Sequence, residues 1–215
     1  MASMAPAAVT LILLLALVMM PTALCSRSGP SSKHGHGGHA KRAPPPSPAS
    51  PPPAALVRAT CNSTAYYDVC VAALAADPSS STADVRGLSA IAVSVAAANA
   101  SGAAQAAAAL ANSTGTAALA DGTVQGLLRT CAAKYGDARD ALAAAKESIA
   151  QQDYDFASVH VSAAAEYPQV CKALFRRQRP NDYPPELAAK EDALGKLCSV
   201  ALDIIALLSS PSNNS

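Results

Sequence analysis

The sequence predicts an all-α fold, an up-down-up-down four-helix bundle with a helical hairpin before it, and three observations support this. Hydrophobic residues make up 51% of the 215-residue chain, yet aromatic residues make up only 4%. Alanine, the strongest helix former, supplies much of the apolar content. Four long stretches place apolar residues at three- and four-residue steps, as amphipathic helices do. Short polar breaks separate these stretches, which favours antiparallel packing in a bundle.

Residues 1–25 are expected to be a secretory signal peptide. An apolar run of 14 residues, 7–20, is followed by Pro21 and by small residues up to Cys25. A membrane-spanning helix needs about 20 apolar residues, so this run suits a signal peptide better than the alternative, a transmembrane anchor. Cleavage near Cys25 would leave five cysteines in an oxidising compartment and no membrane attachment. Four Asn-x-Ser/Thr triplets are candidate N-glycosylation sites: Asn62, Asn99, Asn112 and Asn213.

Residues 26–53 are expected to form a disordered linker, because Pro, Ser, Gly and His dominate and large apolar side chains are missing. The linker carries four basic and no acidic residues, a charge of +4. The remainder, 54–215, carries 12 basic and 15 acidic residues, a charge of −3. Three linker histidines could bind metal weakly or, at acid pH, add to an attraction for pectin; the alternative is a solvated spacer. Neither block has the dense basic face with aromatics that nucleic-acid binding needs.

The folded domain is expected over residues 54–210, followed by a polar tail at 211–215. Cys61 and Cys70 lie nine residues apart and could pair on a tight helical hairpin. After a break at 77–81, the pattern predicts four long helices, at about 84–110, at 116 or 123 to 149, at 154–175 and at 186–208.

The apolar stripes predict which side of each helix faces the core. In the second long helix the stripe contains Leu127, Cys131, Tyr135, Ala138, Leu142 and Ile149. In the third it contains Phe156, Val159, Ala163, Val170 and Leu174. In the fourth it contains Leu187, Leu194, Leu197, Cys198, Leu202, Ile205 and Leu208. If Cys131 and Cys171 pair, they join the second and third helices, and Cys198 is then a buried free thiol.

The folded part lacks a recognisable catalytic set. His160 is its only histidine, and neither a Glu-x-x-His pair nor a Gly-rich phosphate loop occurs, so no metal and no cofactor are expected. The acidic pairs Asp153/Asp155 and Glu191/Asp192 could suggest a glycosidase, but such pairs are more often solvated. Of three classes, an enzyme, a small-ligand carrier and an interaction protein, the last needs only a rigid surface and is favoured.

The chain resembles the plant invertase/pectin methylesterase inhibitor family over about residues 56–210. The resemblance lies in Cys61-x8-Cys70, in Leu128-x2-Cys131-x3-Tyr135-x2-Ala138-x3-Leu142, in Asp153-Tyr154-Asp155, in Ser162-Ala163-Ala164, and in Cys171 and Phe175. It implies a four-helix bundle after a small helical hairpin, the disulfides Cys61–Cys70 and Cys131–Cys171, and a free fifth cysteine. It also implies a non-catalytic protein of the apoplast or cell wall that docks one-to-one over an enzyme's active-site cleft.

The resemblance leaves two targets, pectin methylesterase and cell-wall or vacuolar invertase. Invertase inhibitors of this family carry Pro-Lys-Phe before the third bundle helix, where this chain has Tyr154-Asp155-Phe156. An acid in place of the lysine reverses a charge that would meet an acidic enzyme site, which favours pectin methylesterase. The final helix resembles the invertase-inhibitor branch more closely. By family-level transfer, the partner interface is expected to include Lys134, Arg139, Glu147, Asp153, Tyr154, Asp155 and Phe156.

Overall fold

The computed structural model describes residues 53–209. This part contains seven α-helices, one 3₁₀-helix and no strand. The α-helices are α1 (Pro53–Cys61), α2 (Tyr67–Ala75), α3 (Val85–Ala111), α4 (Ala117–Ala120), α5 (Gly122–Ala150), α6 (Tyr154–Gln178) and α7 (Pro185–Ser209), and the 3₁₀-helix spans Pro78–Ser81. The predicted signal peptide, most of the predicted linker, the polar tail and Asn213 lie outside the described residues.

Aspartates fix where three of the four long helices begin. The carboxylate of Asp84 accepts the N–H of Gly87 at 2.7 Å, ahead of α3. The carboxylate of Asp121 accepts the N–H of Thr123 at 2.7 Å, ahead of α5. Asp153 performs the same role ahead of α6. A carboxylate at this position satisfies an amide that has no partner inside the helix and interacts favourably with the helix dipole.

The four long helices form the predicted bundle. Helix α3 packs against α5 and α7, and α6 packs against the same two helices. The second half of α3 buries only alanines, at positions 96, 100, 103, 107 and 111. Small side chains let helix axes approach closely, so this core forms with few large residues. Among the described helices only α3 is long and apolar enough to cross a membrane, a test that a buried bundle helix also passes.

The larger core residues come mainly from α5 and α7. Every member of the stripe predicted for α5 is buried, and Tyr135 and Phe175 are the two largest fully buried side chains. The stripe predicted for α7 is also confirmed in its main part, with Leu202 and Leu208 half-buried at its edge. The start of α5 at Gly122 resolves the alternative that the sequence left open.

The face predicted for α6 is wrong. Phe156 is 60% exposed, Val159 62% and Val170 43%, while Ala163 and Leu174 are half-buried. The buried face consists of Ala157, Val161, Ala164, Pro168, Cys171 and Phe175. The true face therefore lies one residue further along the chain at most positions, a rotation of about 100° around the helix. Cys171 and Phe175 must point inward, and the small residues that share their face follow them.

Both disulfides implied by the family resemblance are present. Cys61 and Cys70 join α1 to α2 with their Cα atoms 5.6 Å apart, and Cys131 and Cys171 join α5 to α6 with their Cα atoms 5.0 Å apart. Cys198 is free and buried in α7. Burial raises the pKa of its thiol to about 12, so the nucleophilic thiolate is scarce at neutral pH.

Candidate docking surface

Helices α5 and α6 form an antiparallel hairpin whose turn, residues 151–153, is held by several hydrogen bonds. The N–H of Asp153 donates to the carbonyl of Ser148 at 2.8 Å, and the carboxylate of Asp153 accepts the N–H of Phe156 at 3.2 Å. Gln152 has a φ of 62°, which is uncommon for a residue other than glycine. At the other end of the hairpin, the Cys131–Cys171 bond holds the two helices together. The hairpin backbone is thus constrained at both ends.

A row of apolar side chains lies exposed along α6. We define the α6 stripe as Phe156, Val159 and Val170, which are among the few exposed large hydrophobic residues of the described chain. At about 100° per residue the three side chains fall within an arc of about 60°, so they lie on one side of the helix. Phe156 and Val159 are neighbours on this side, and Val170 lies about 16 Å further along it. Single exposed apolar residues are ordinary, but three that share one side of a helix make that side a candidate interaction surface. The ring of His160 lies beside Phe156, with centroids 6.5 Å apart.

The predicted interface residues of α5, which are Lys134, Arg139 and Glu147, lie on different parts of the helix surface. Lys134 lies near the disulfide end, where its Nζ sits 5.5 Å from the ring centroid of Tyr167 on α6 and 2.7 Å from a carboxylate oxygen of Asp137. The hydrogen bond to Asp137 raises the pKa of Lys134, which stays charged. Glu147 lies thirteen residues further along α5, about 20 Å away and turned about 140° around the helix from Lys134, so it does not share the side that Lys134 occupies. Its carboxylate accepts a hydrogen bond from Gln151 at 2.8 Å.

Arg139 does not share the side of α5 that Lys134 occupies. Five residues separate them, which turns the side chains about 140° apart around the helix axis. Arg139 is exposed and pairs with its neighbour Asp140 at 2.7 Å. Arg139 therefore lies outside the surface that contains the α6 stripe and Lys134.

The turn residues lie together beside the carboxyl end of α7. Asp153 and Asp155 are exposed, Tyr154 is half-buried against the core, and Phe156 begins the α6 stripe. Residues 151–155 line an open cleft of about 660 Å³ together with Leu208 and Ser209. Asp155 lies in the first turn of α6, where the helix dipole favours a carboxylate. This end of the hairpin therefore presents two negative charges next to an exposed aromatic ring.

The expectation that the acidic pair Glu191/Asp192 is solvated is wrong for Glu191. Asp192 is exposed, but Glu191 is buried and accepts a hydrogen bond from the hydroxyl of Tyr183 at 2.8 Å. Lys172 pairs with the other carboxylate oxygen at 3.3 Å. The Tyr183 ring meets Phe175 edge-on, with centroids 5.3 Å apart.

This network, which no sequence pattern indicates, holds the α6–α7 loop against the disulfide end of the hairpin. The Tyr183 hydroxyl lies 4.0 Å from Sγ of Cys171. Tyr135 donates a hydrogen bond to the carbonyl of Leu187 at 3.3 Å, and burial raises the pKa of Tyr135 to about 12. Burial and the bond to Glu191 also raise the pKa of Tyr183. Both hydroxyls thus keep their protons and act as donors.

The candidate glycosylation sites differ in exposure. Asn62 and Asn112 are exposed. Asn99 lies within α3, is half-buried, and its side-chain oxygen is buried without a hydrogen-bond partner. We therefore expect a glycan on Asn62 or Asn112 rather than on Asn99. Within residues 53–209, no three His, Cys, Asp or Glu side chains come together as metal ligands would.

The chain is similar to known proteins in both sequence and fold. Residues 55–204 match the model of the family described as plant invertase/pectin methylesterase inhibitor. Pectinesterase inhibitor 28 of Oryza sativa subsp. japonica is 79% identical, over 99% of this chain and 97% of its own length. Cell wall / vacuolar inhibitor of fructosidase 2 of Arabidopsis thaliana is 37% identical, over 70% of this chain and 81% of its own.

A solved structure shows the same fold. The crystal structure of a mutant form of a pectin methylesterase inhibitor from Arabidopsis aligns with a TM-score of 0.54 and 21% identity. The alignment covers 68% of this chain and 93% of that one.

Proposed function

The chain belongs to the plant invertase/pectin methylesterase inhibitor family, and we propose that it is a secreted, non-catalytic inhibitor that binds and blocks pectin methylesterase in the cell wall. The observation that carries the choice of target is the 79% identity to a pectinesterase inhibitor over nearly the whole of both chains. Relatives this similar over their full length usually keep the surface that selects the partner. The apolar run at residues 7–20 supports export to the cell wall.

The α6 stripe is the proposed centre of the docking surface. Its apolar side chains would be removed from water in a complex, and such a contact contributes most when it lies at the middle of the interface. Lys134 at one end and the turn carboxylates at the other would lie at the rim, where charges affect the association rate and partner choice more than affinity. One hairpin would enter one cleft, which supports a 1:1 complex.

The rigidity of the hairpin supports inhibition by docking. The turn hydrogen bonds, the Cys131–Cys171 bond and the Tyr183–Glu191 contact fix the backbone before the partner arrives. A surface that is already ordered loses little conformational entropy on binding, so more of the contact energy appears as affinity.

Invertase is the second candidate, and two observations favour it. The 37% identical relative is an inhibitor of fructosidase, and Phe156 occupies the place of the phenylalanine in the Pro-Lys-Phe motif of invertase inhibitors. Against it stands Asp155, which puts a negative charge where that motif has a positive one. The linker would add a weak attraction for pectin through its +4 charge.

The test is a direct comparison of targets. The purified secreted protein is added in increasing amounts to one plant pectin methylesterase and to one cell-wall invertase, and the residual activity of each is measured. We expect pectin methylesterase activity to fall to a plateau at one equivalent of inhibitor, with invertase unaffected. Inhibition of invertase alone would replace the target, and hydrolysis of either substrate by this chain by itself would overturn the assignment as an inhibitor.

A further inference from the structure

A second concave site lies on the side of α6 opposite the α6 stripe. It is a cleft of about 290 Å³ between α6 and α7, closed at one side by the α1–α2 connection. Its lining includes Tyr66, Gln169, Lys172, Glu191, Asp192 and Lys196. The α1–α2 connection is fixed over α7, because the N–H of Ala65 donates to a carboxylate oxygen of Asp203 at 2.8 Å.

The charged groups of this cleft form two donor–acceptor pairs. Lys172 lies 3.3 Å from Glu191, and Lys196 lies 2.6 Å from Asp192. The Glu191 side chain is only 6% exposed and also accepts the hydroxyl of Tyr183, so its position is fixed. The four charges sum to zero. The cleft therefore offers several donors and several acceptors without a net attraction for ions of either sign.

Tyr66 adds an aromatic surface to these polar groups. Its side chain is 39% exposed, and the ring lines the cleft. Tyr67, the next residue, is also 39% exposed but does not line the cleft. A pyranose ring has one face of C–H groups that packs on an aromatic ring, and hydroxyls that donate and accept hydrogen bonds together. Paired ammonium and carboxylate groups next to a tyrosine match that chemistry.

We propose that this cleft binds a neutral pyranose unit, supplied by methyl-esterified galacturonan, the polymer on which pectin methylesterase acts. The choice of polymer rests on the proposed function; the sugar chemistry rests on the cleft itself. Esterified galacturonate is uncharged and matches a cleft whose four charges sum to zero, whereas a freed carboxylate would lose hydration there without a net positive charge to compensate it. The inhibitor would thus be retained where the substrate of its target is still esterified.

The same sugar chemistry has a second source in the chain itself. Asn62 is exposed, carries a glycosylation triplet and lies four residues before Tyr66, within about 14 Å of chain. A glycan on Asn62 could reach the cleft, so the experiment uses the full secreted chain carrying Asn62→Gln, in which that glycan is missing.

The experiment measures binding of a fully methyl-esterified trigalacturonide by saturation-transfer NMR and titration. We expect the Asn62→Gln protein to bind it, Tyr66→Ala to weaken binding about tenfold, and Tyr67→Ala, the matched control, to leave it unchanged. Gln169→Ala, an exposed change on α6, should also weaken binding. The unesterified trisaccharide should bind less well. No binding of the esterified sugar, or equal affinity in the Tyr66→Ala and Tyr67→Ala proteins, would overturn the proposal.

Two further comparisons separate the possible outcomes. If the glycosylated chain fails to bind a sugar that the Asn62→Gln protein binds, the chain's own glycan fills the cleft and the pyranose assignment stands. Inhibition of pectin methylesterase by the Tyr66→Ala protein should equal that of the unchanged protein, because the α6 stripe is intact. Sugar binding is measured without enzyme, so failure to inhibit and failure to bind sugar are recorded independently.

Discussion

Replacing Phe156 by alanine should weaken inhibition of pectin methylesterase about thirtyfold. The side chain is 60% exposed in the free protein, so about 120 Å² of a ring surface of roughly 200 Å² remains to be buried by a partner. At about 25 cal/mol per Å² this corresponds to about 3 kcal/mol at most. Alanine keeps part of that surface, and a loss of about 2 kcal/mol, typical of a central interface residue, is a factor of about 30.

The assay is the inhibition constant from residual pectin methylesterase activity over a range of inhibitor concentrations. Tyr67→Ala is the control, because it removes an exposed aromatic ring from α2, outside the hairpin. Phe156→Ala should not shift the thermal midpoint noticeably, since removing a largely exposed side chain alters stability by only about 0.5 kcal/mol. Tyr67 is only 39% exposed, so Tyr67→Ala should lower the midpoint more, and both proteins are assayed at a temperature where they are folded. A Phe156→Ala protein that is folded and inhibits as strongly as the Tyr67→Ala control would show that the α6 stripe is not the docking surface.

Three other changes test separate parts of the structure. Replacing Cys131 and Cys171 by serine should lower the free energy of unfolding by about 4 kcal/mol, because the bond closes a loop of 40 residues; an unchanged urea midpoint would show that the bond is absent from the secreted protein. The pKa of Tyr135 is raised to about 12, so the stability that its neutral form contributes is complete below about pH 10 and is lost as the pH rises towards 12. The free energy of unfolding, measured by urea titration, should therefore fall less between pH 8 and pH 11.5 for Tyr135→Phe than for the unchanged chain. An equal fall in both proteins would exclude this tyrosine as the cause. Asp155→Lys restores the charge of the invertase-inhibitor motif and should strengthen binding to invertase by about tenfold relative to pectin methylesterase; parallel inhibition assays measure this ratio, and a ratio that does not move would place residue 155 outside the interface.

The bundle could be predicted because the large apolar residues of α5 and α7, which supply most of the larger core side chains, repeat at helical spacing. In α5, Cys131, Tyr135 and Leu142 repeat at helical spacing, and no competing apolar row exists on that helix. Their burial followed directly from the pattern. In α3 the alanines are ambiguous one by one, yet a run of them still favours a helix that can pack closely.

Helix α6 shows where the same rule fails. Phe156, Val159 and Val170 form the stronger apolar row, so periodicity assigns them to the core. The buried face instead contains Ala157 and Ala164, whose size suits close helix packing. A row of large apolar residues indicates either a core face or a binding face. The smaller residues one position further along, and the cysteine that must reach its partner, distinguish the two.

The network of Tyr183, Glu191 and Lys172 could not be predicted, because these residues come from a loop and two different helices. Only the fold brings Lys172 to Glu191, nineteen residues away. A glutamate beside an aspartate on a helix is usually solvated, and the sequence contains nothing that separates the two positions. The cleft with Tyr66 depends on the same tertiary arrangement, since its lining comes from three parts of the chain.

The placement of the constraints on the α5–α6 hairpin bears on how the inhibitor would act. The Cys131–Cys171 bond and the Tyr183 contact hold one end of the hairpin. Phe156, the first residue of the α6 stripe, lies near the turn at the other end, fifteen residues from Cys171 and about 22 Å away along α6. If the bond served only to stabilise the fold, the serine double variant, assayed where it is still folded, would inhibit as well as the unchanged protein. If it holds α6 in the rotation that exposes the α6 stripe, inhibition should fall even where the protein is fully folded. We expect inhibition to fall, because Cys171 lies on the buried face of α6 and its neighbour Val170 lies on the exposed face. The bond from Cys171 to Cys131 therefore fixes which row of α6 faces the solvent.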